Sequence, residues 1–455
     1  MELGNYTTIY FLGIGGIGMS ALARYFNQHD CHVSGYDKTP TLLTQALSAE
    51  GLTISYTDQG STIATQLSTK EETLIVYTPA IPQNHQEFNF FKDAGYTLVK
   101  RAALLGAITR TQKTLAVAGT HGKTTTSCLL AHLLQESDLK CSAFLGGIST
   151  NYNSNLIVTP SSEWVVVEAD EFDRSFHQLS PYASIITSTD ADHLDIYETK
   201  AELEHAFQHY AQQIDKDGLA ILQHTLSIDT PCKKVSYGVN ETDKTIAYRA
   251  HNLRYENDTF LFDLTTPQGN WERVSFGISG IHNVENAVSV IALGLHLGID
   301  EETIRKALAS FKGVKRRFEY HINTPDVVYI DDYAHHPTAI NQLVASIRLR
   351  HKNLPIVAIF QPHLYSRTAD FMDEFAASLS HVDELILLPI YPAREVPIKG
   401  ITSEALLSHV NLEHKTIADP VTLLQTLTKR RNCVIVTIGA GDIDQLVNPI
   451  KEVLL

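Results

Sequence analysis

Apolar residues along this chain fall in short saturated runs, each followed by a glycine-rich or acidic turn and then by a stretch with helical spacing. "TIYFLG", "CHVSGYD" and "TLIVYTPAI" are the first such runs. "TLAVAG", "EWVVVEAD" and "ASIITSTD" follow, and "DVVYIDD", "PIVAIFQ", "ELILLPI" and "CVIVTIGAG" close the series. Runs apolar on both faces predict buried parallel strands, and the intervening stretches such as "TSCLLAHLLQES" and "PTAINQLVASIRL" predict the helices that cover them. Between the second and third series, residues 233–275 alternate as half-buried strands do, and "SGIHNVENAVSVIALGLHLGI" returns to a helix. The pattern predicts an α/β protein of three domains. A Rossmann-like domain is expected over residues 1–107, a P-loop ATPase-like domain over 108–314 and a second Rossmann-like domain over 315–455.

The length of 455 residues suits several cores rather than one. With 44% hydrophobic and 19% charged residues the chain reads as globular, without a run long enough for membrane insertion. The start "MELGNYTTIYFLGIGG" has no basic segment before its apolar run, so it reads as a first strand and a cytoplasmic location is expected. A formal charge of -15 speaks against nucleic acid as a partner. Five scattered cysteines without a C-x-x-C pair suggest neither a disulfide framework nor a zinc site, and nothing indicates an oligomeric state.

Candidate chemistry sits at the strand ends, where ligands of α/β proteins bind. After the first run, Gly13-x-Gly15-x-x-Gly18 opens a helix and Asp37 ends the next run. That spacing suits the diphosphate of NAD or of a nucleotide sugar. In the second series, Gly119-Thr120-His121-Gly122-Lys123-Thr124 is a shortened phosphate loop, with Val117 where the full motif has glycine. Its backbone N–H groups would cradle phosphate, Lys123 would neutralise it, and the Thr124 hydroxyl would join a metal shell. Glu168 ends a strand as a metal-binding carboxylate would, followed by Asp170, Glu171 and Asp173. His193, among acids in "DADHLDIY", is a candidate for a second Mg²⁺ or Mn²⁺. In the third series "DDYAHHP" and "FQPHLYSRT", with His363 and Arg367, occupy consecutive strand ends. The plainer readings are a glycine turn, a solvated acidic loop and loop polars without a ligand.

Taken together, "FLGIGGIGMS", "GTHGKTTT", "EADEFDRSF", "DADHLDIY", "HNVENA", "RRFE", "DDYAHHP" and "FQPHLYSRT" resemble the Mur ligase family across essentially the whole chain. Members are ATP-dependent amide-bond ligases of peptidoglycan precursor synthesis. The resemblance is strongest to the branch that joins L-alanine to the lactyl carboxylate of UDP-N-acetylmuramate, with attachment of a recycled tripeptide to the same sugar nucleotide as the alternative. It implies that Gly13, Gly15, Gly16, Gly18 and Asp37 bind the sugar nucleotide, and that Gly119 to Thr125, with Lys123 central, bind ATP. Thr125 is included in that set, as are Asn283 and Asn286 near the adenine, with Arg317 and Asp332 on the third-domain side. Thr124, Glu168 and His193 would hold Mg²⁺, Mn²⁺ being the alternative ion.

The same resemblance makes His121, Ser175, Tyr333, His335, His363 and Arg367 substrate-binding, and Lys123, His193, Arg317, His335 and Arg367 catalytic, with His335 the first candidate for general base. Domain closure that excludes water from an acyl phosphate is expected with it. Later-step relatives carry a carbamylated lysine near the position of Gln208, so no carbamate is predicted here. Arg174 adds a positive charge within the acidic loop. A motor or switch ATPase would leave the first glycine loop and the histidine cluster unused, and a dehydrogenase would leave Lys123 and Glu168 unused. Replacing Lys123 by alanine is expected to abolish activity and leave the fold intact.

Overall fold

The computed structural model describes residues 6–190, 194–256, 259–393, 395–428 and 430–455. Its strands form three sheets, as the three series of apolar runs predict. The first sheet has five strands in the spatial order Thr53–Ser55, His32–Tyr36, Thr8–Leu12, Thr73–Tyr77, Thr97–Lys100. Every pair in it is parallel. The chain therefore leaves the central strand Thr8–Leu12 first to one side and then to the other, and the crevice this opens lies beyond Leu12. The first glycine-rich loop occupies that position.

The second sheet has ten strands, and its centre positions the phosphate loop. Lys113–Ala118 lies between Trp164–Ala169 and Ala183–Ile186, parallel to both. Leu115 to Ala118 and Val165 to Val167 are completely buried, which is why these runs carry no polar face. The helix Lys123–Glu136 covers them and is itself buried from Thr124 to Leu134. The polar, alternating region predicted from 233 to 275 forms the strands Lys233–Val239, Tyr248–Glu256, Thr259–Thr266 and Gly269–Phe276 at one end of this sheet.

The third sheet has six strands, in the order Glu319–Asn323, Val327–Asp332, Cys433–Ile438, Ile356–Phe360, Glu384–Leu387, Lys415–Ile417. Its first pair is antiparallel and the others are parallel. Alternate residues feed two cores: Ile330, Ala358, Val434 and Val436 pack on one face, and Tyr329, Val357, Ile359 and Ile435 on the other.

By density of internal packing the chain forms two compact units. The first runs to Leu253 and includes Leu261–Gly277 and Glu285–Lys312. One hydrophobic cluster extends through it from Ile9 and Leu22 to Val165 and Phe207, so the first two sheets share a core. The second unit comprises Arg254–Phe260, Ile278–Val284 and Gly313–Leu455. The two short segments in it interrupt the 108–314 stretch, a division that local periodicity does not contain.

Candidate active site

The phosphate loop is shaped by its glycines and by the strand beside it. Gly119 adopts φ +135°, and a Cβ there would stand 2.0 Å from Thr187 Oγ1. Gly122, at φ +80°, starts the helix Lys123–Glu136 and supplies no side-chain cap, so the first-turn N–H groups face the loop. Ser188 fixes the turn: its carbonyl accepts from Thr120 N at 3.2 Å, and its Oγ accepts from His121 N at 2.9 Å. Thr120 Oγ1 in turn accepts from Asp190 N at 3.1 Å. Asn286 closes the far side, its Oδ1 2.7 Å from where a Gly122 Cβ would be. Asn286 is thus brought to the loop. Asn283, one helical turn earlier, donates its Nδ2 to Ser279 O at 2.6 Å in the second unit.

The four acids Glu168, Asp170, Glu171 and Asp173, expected near one strand end, take four different partners. Glu168 Oε1 accepts from Thr124 Oγ1 at 3.2 Å, which brings two hard oxygen donors together. Gly146 on the adjacent strand leaves room for this carboxylate, since a Cβ there would lie 2.0 Å from Glu168 Oε2. Oxygen donors, one carboxylate and a space free of side-chain carbon suit Mg²⁺. Asp170 Oδ2 accepts from Arg101 Nη2 at 3.4 Å, and the half-buried Asp173 pairs with Lys100 at 3.1 Å. Glu171, completely buried, takes Lys123: Nζ donates to its two carboxylate oxygens at 2.9 and 2.8 Å and to Gly119 O at 2.6 Å. Burial opposes the ammonium, but Glu171, then Asp170 and Glu168, outweigh it and raise the Lys123 pKa above its ordinary value.

This pairing corrects the expectation that alanine at position 123 is neutral for the fold, because it would leave a buried carboxylate without its counter-charge. His121 sends Nε2 to within 3.4 Å of Asp190 Oδ2. Thr125 is buried in the first helical turn. His193 lies outside the described residues. Arg174, whose role the motif left open, lies over the ring of Tyr197 at 5.4 Å and within 3.9 Å of Glu202. Gln208, near which the resemblance put the carbamate position, bonds Asp229 with both ends of its amide, at 2.8 and 3.0 Å.

In the first sheet Gly13 takes φ +88° and its N–H donates to Tyr36 O at 2.8 Å. Asp37 serves the loop itself: Oδ2 accepts from Gly15 N at 2.8 Å and Oδ1 from Thr39 N at 3.1 Å. Gly16 precedes the first turn of the helix Ile17–Asn27. A residue without a motif also enters here. Arg101 places Nη1 2.8 Å from where a Gly18 Cβ would be, and its Nη2 lies 3.5 Å from Ser175 Oγ. Gly18 therefore makes room for an arginine. A basic residue opening a helix carries no sequence signal, although its place after the strand Thr97–Lys100 is a strand-end position like the others.

In the second unit the predicted residues form one chain of contacts. The Arg317 guanidinium lies over Tyr333 at 4.9 Å, Tyr333 meets the His335 ring edge-on at 5.3 Å, and His335 lies 6.3 Å from His363 between ring centroids. His363 stacks on Tyr391 at 5.6 Å and its Nδ1 is 3.5 Å from Arg367 Nη1. Burial, reinforced by Arg367, pushes the His363 pKa down to about 4. Asp332 accepts from Phe318 N at 2.7 Å and Ala334 N at 2.8 Å. Burial raises its pKa to about 6 against the pull of Arg317. His282, of the "HNVENA" helix, is held down to about 4 by burial and then by Arg317. Arg316, not singled out by motif, pairs with the buried Asp331 at 3.1 Å and shares Tyr333 with its neighbour at 5.3 Å.

Three α/β sheets, with a phosphate loop beside a Thr–Glu oxygen pair and a polar cluster at the ends of a third sheet, define a ligase-type nucleotide-binding protein, and this chain belongs to the Mur ligase family. The model of the family's catalytic domain matches residues 8–113, that of the Mur ligase middle domain 117–294, and that of the glutamate ligase domain 316–441. A UDP-N-acetylmuramate--L-alanine ligase of Flavobacterium psychrophilum is 48% identical over 455 residues, covering 100% of this chain and 99% of the relative. The enzyme of that name from Parabacteroides distasonis is 44% identical, covering 100% and 98%. Among solved structures, the UDP-N-acetylmuramate-alanine ligase of Thermotoga maritima superposes with a TM-score of 0.82 at 27% identity, covering 98% of each chain. A murein peptide ligase of Psychrobacter arcticus shares the fold, with a TM-score of 0.73 at 22% identity and 98% coverage of each chain.

Proposed function

We propose that this protein joins L-alanine to UDP-N-acetylmuramate in peptidoglycan precursor synthesis, with ATP as the driving substrate. The observation that carries the reading is the 44–48% identity, along the whole chain, to relatives bearing the alanine-ligase name. The phosphate loop supports it. A carboxylate does not react with an amine because oxide is too poor a leaving group. Transfer of the γ-phosphoryl of ATP to the lactyl carboxylate gives an acyl phosphate and ADP. The neutral amine of alanine then attacks the acyl carbon, and phosphate leaves.

Both steps bring anions together, so electrostatic groups matter more than a covalent nucleophile. In this reading the first-turn N–H groups after Gly122 and the Lys123 ammonium take the β- and γ-phosphates. Mg²⁺ on Thr124 and Glu168, with His193 as a further ligand, would neutralise charge on the transferred group. Asn283 and Asn286 serve the adenine, and Arg317 with Asp332 the third-domain side of the nucleotide. Gly13 to Gly18 and Asp37 form the sugar-nucleotide loop, extended by His121 and Ser175. Tyr333, His335, His363 and Arg367 receive the amino acid and the intermediate, and His335 takes the amine proton. The segments 1–107, 108–314 and 315–455 carry these three tasks in order. No helix among the described residues is long and apolar enough to cross a membrane. We assign the enzyme to the cytoplasm, where ATP and nucleotide sugars are both available.

The test is phosphate release from ATP in the presence of UDP-N-acetylmuramate, with alanine, glycine, serine and the stem tripeptide supplied separately. Alanine-dependent release is expected. Release only with the tripeptide would assign the chain to the murein peptide ligases instead, and release independent of any amine would remove the ligase reading.

A further inference from the structure

The acceptors around Lys123 match its donors. An ammonium has three N–H groups, and here they meet Gly119 O at 2.6 Å and the two Glu171 oxygens at 2.9 and 2.8 Å. The Glu171 side chain is completely buried and that of Lys123 is 12% exposed. The turn that carries Glu171 is itself held in an unusual shape. Asp173 and Arg174 both adopt φ +53°, a left-handed conformation that non-glycine residues keep only when their surroundings enforce it. Tyr197 helps to enforce it: 1% exposed, it donates its hydroxyl to the Glu171 carbonyl at 2.5 Å, while Arg174 covers its ring. Glu171 is therefore placed under the phosphate loop from two sides, by its own turn and by the segment ending at Tyr197.

We propose that Glu171 is the positioning residue of the phosphate-binding lysine, holding Lys123 Nζ at a fixed point on the loop from which a nucleotide phosphate takes over one of its hydrogen bonds. This rests on the function proposed above. A free lysine side chain is a flexible point charge. Clamped between Glu171 and Gly119 O, its ammonium is held at one location and keeps a carboxylate behind it while phosphate is transferred in front. The carboxylate also competes with phosphate for the same ammonium. Its presence weakens ground-state binding of the nucleotide while it aims the lysine at the charge that develops during transfer.

Those two effects give a signature that a merely structural role does not. In Glu171→Gln the side chain keeps its shape and loses its charge, so Lys123 moves fully onto the nucleotide. Calorimetric titration with ATP and Mg²⁺, without sugar nucleotide, should show binding about fivefold tighter than wild type, while kcat for phosphate release falls about tenfold or more. Glu171→Asp, which keeps the charge and shortens the reach, should bind ATP within about twofold of wild type and give an intermediate kcat. Unchanged or weaker ATP binding in Glu171→Gln overturns the proposal, and so does tighter binding with an unchanged kcat. If Glu171→Gln does not fold, the Asp variant decides: a wild-type kcat overturns positioning, an intermediate one supports it. ATP titration reads Glu171 without any amide product, so a wild type that binds ATP but releases no phosphate with alanine counts against the ligase reading and leaves the binding comparison standing.

Discussion

Lys123 and Glu171 lie 48 positions apart, and neither is intelligible without the other. The lysine reads in the sequence as a phosphate ligand and the glutamate as one acid among several, yet in the fold they are a buried ion pair. Removing one member of such a pair leaves the other desolvated and alone, a loss of about 3 kcal/mol or more. Lys123→Ala is accordingly expected to lose activity and also to unfold at a lower urea midpoint, its unfolding free energy reduced by at least that amount. Equal midpoints would mean that Glu171 finds another partner. His363 makes a pH prediction at the same scale. Its pKa falls from about 6.5 in an unfolded chain to about 4 in the fold. Between those values the native state binds fewer protons than the unfolded one, so its contribution to stability rises with pH. That contribution is present above pH 6.5 and is lost as pH falls through 4. The urea midpoint of His363→Asn should therefore differ less between pH 4.5 and pH 7 than that of wild type. Asp332 acts in the opposite sense: raised to about 6, it contributes stability at low pH that is lost as pH rises through that value.

At the scale of elements, the site depends on how closely neighbouring strands approach. The strand Ser142–Ser149 runs parallel to Trp164–Ala169 with Phe144 opposite Val167, so the Glu168 carboxylate leans across toward Gly146. A strand glycine at such a crossing marks close approach. Gly146→Ala should force Glu168 away from Thr124. We expect kcat to fall about tenfold and the Mg²⁺ concentration for half-maximal activity to rise, with ATP binding in the absence of metal little changed. Magnesium titration of phosphate release checks this, and an unaltered Mg²⁺ requirement would separate Glu168 from metal binding. The first glycine loop follows the same logic. Gly15 avoids both Thr44 and Asp37, and Gly18 makes room for Arg101, so the spacing G-x-G-x-x-G here reports side-chain neighbours as much as ligand.

For the whole molecule, the predicted class of three α/β domains holds, with a parallel five-stranded first sheet, a ten-stranded second and a six-stranded third. Family models match in sequence order across residues 8–113, 117–294 and 316–441. The amine supplied to the phosphate-release assay is the prediction that belongs to this scale. Expected turnover is highest with alanine, and any comparable rate with the tripeptide would show a site open enough for the longer acceptor.

Hydrophobic runs and their flanking turns are local, and so the sequence alone located the strands that the structure ends at Leu12, Ala118, Ala169, Asp332 and Phe360, and the motifs that follow them. It also singled out Gly119 to Thr124 as the candidate phosphate loop, because those loop residues are consecutive. Partnership across separate loops is a different quantity, set by which strands the sheet makes neighbours and by where each turn sends its side chains. Only the tertiary structure decided that Glu171 takes Lys123 and Glu168 takes Thr124, that Asp37 holds its own glycine loop, and that Arg101 reaches Ser175. For the completely buried Glu171, burial made that choice. A desolvated charge must be answered within hydrogen-bond reach, and the residue that can answer it is fixed by packing rather than by distance along the chain.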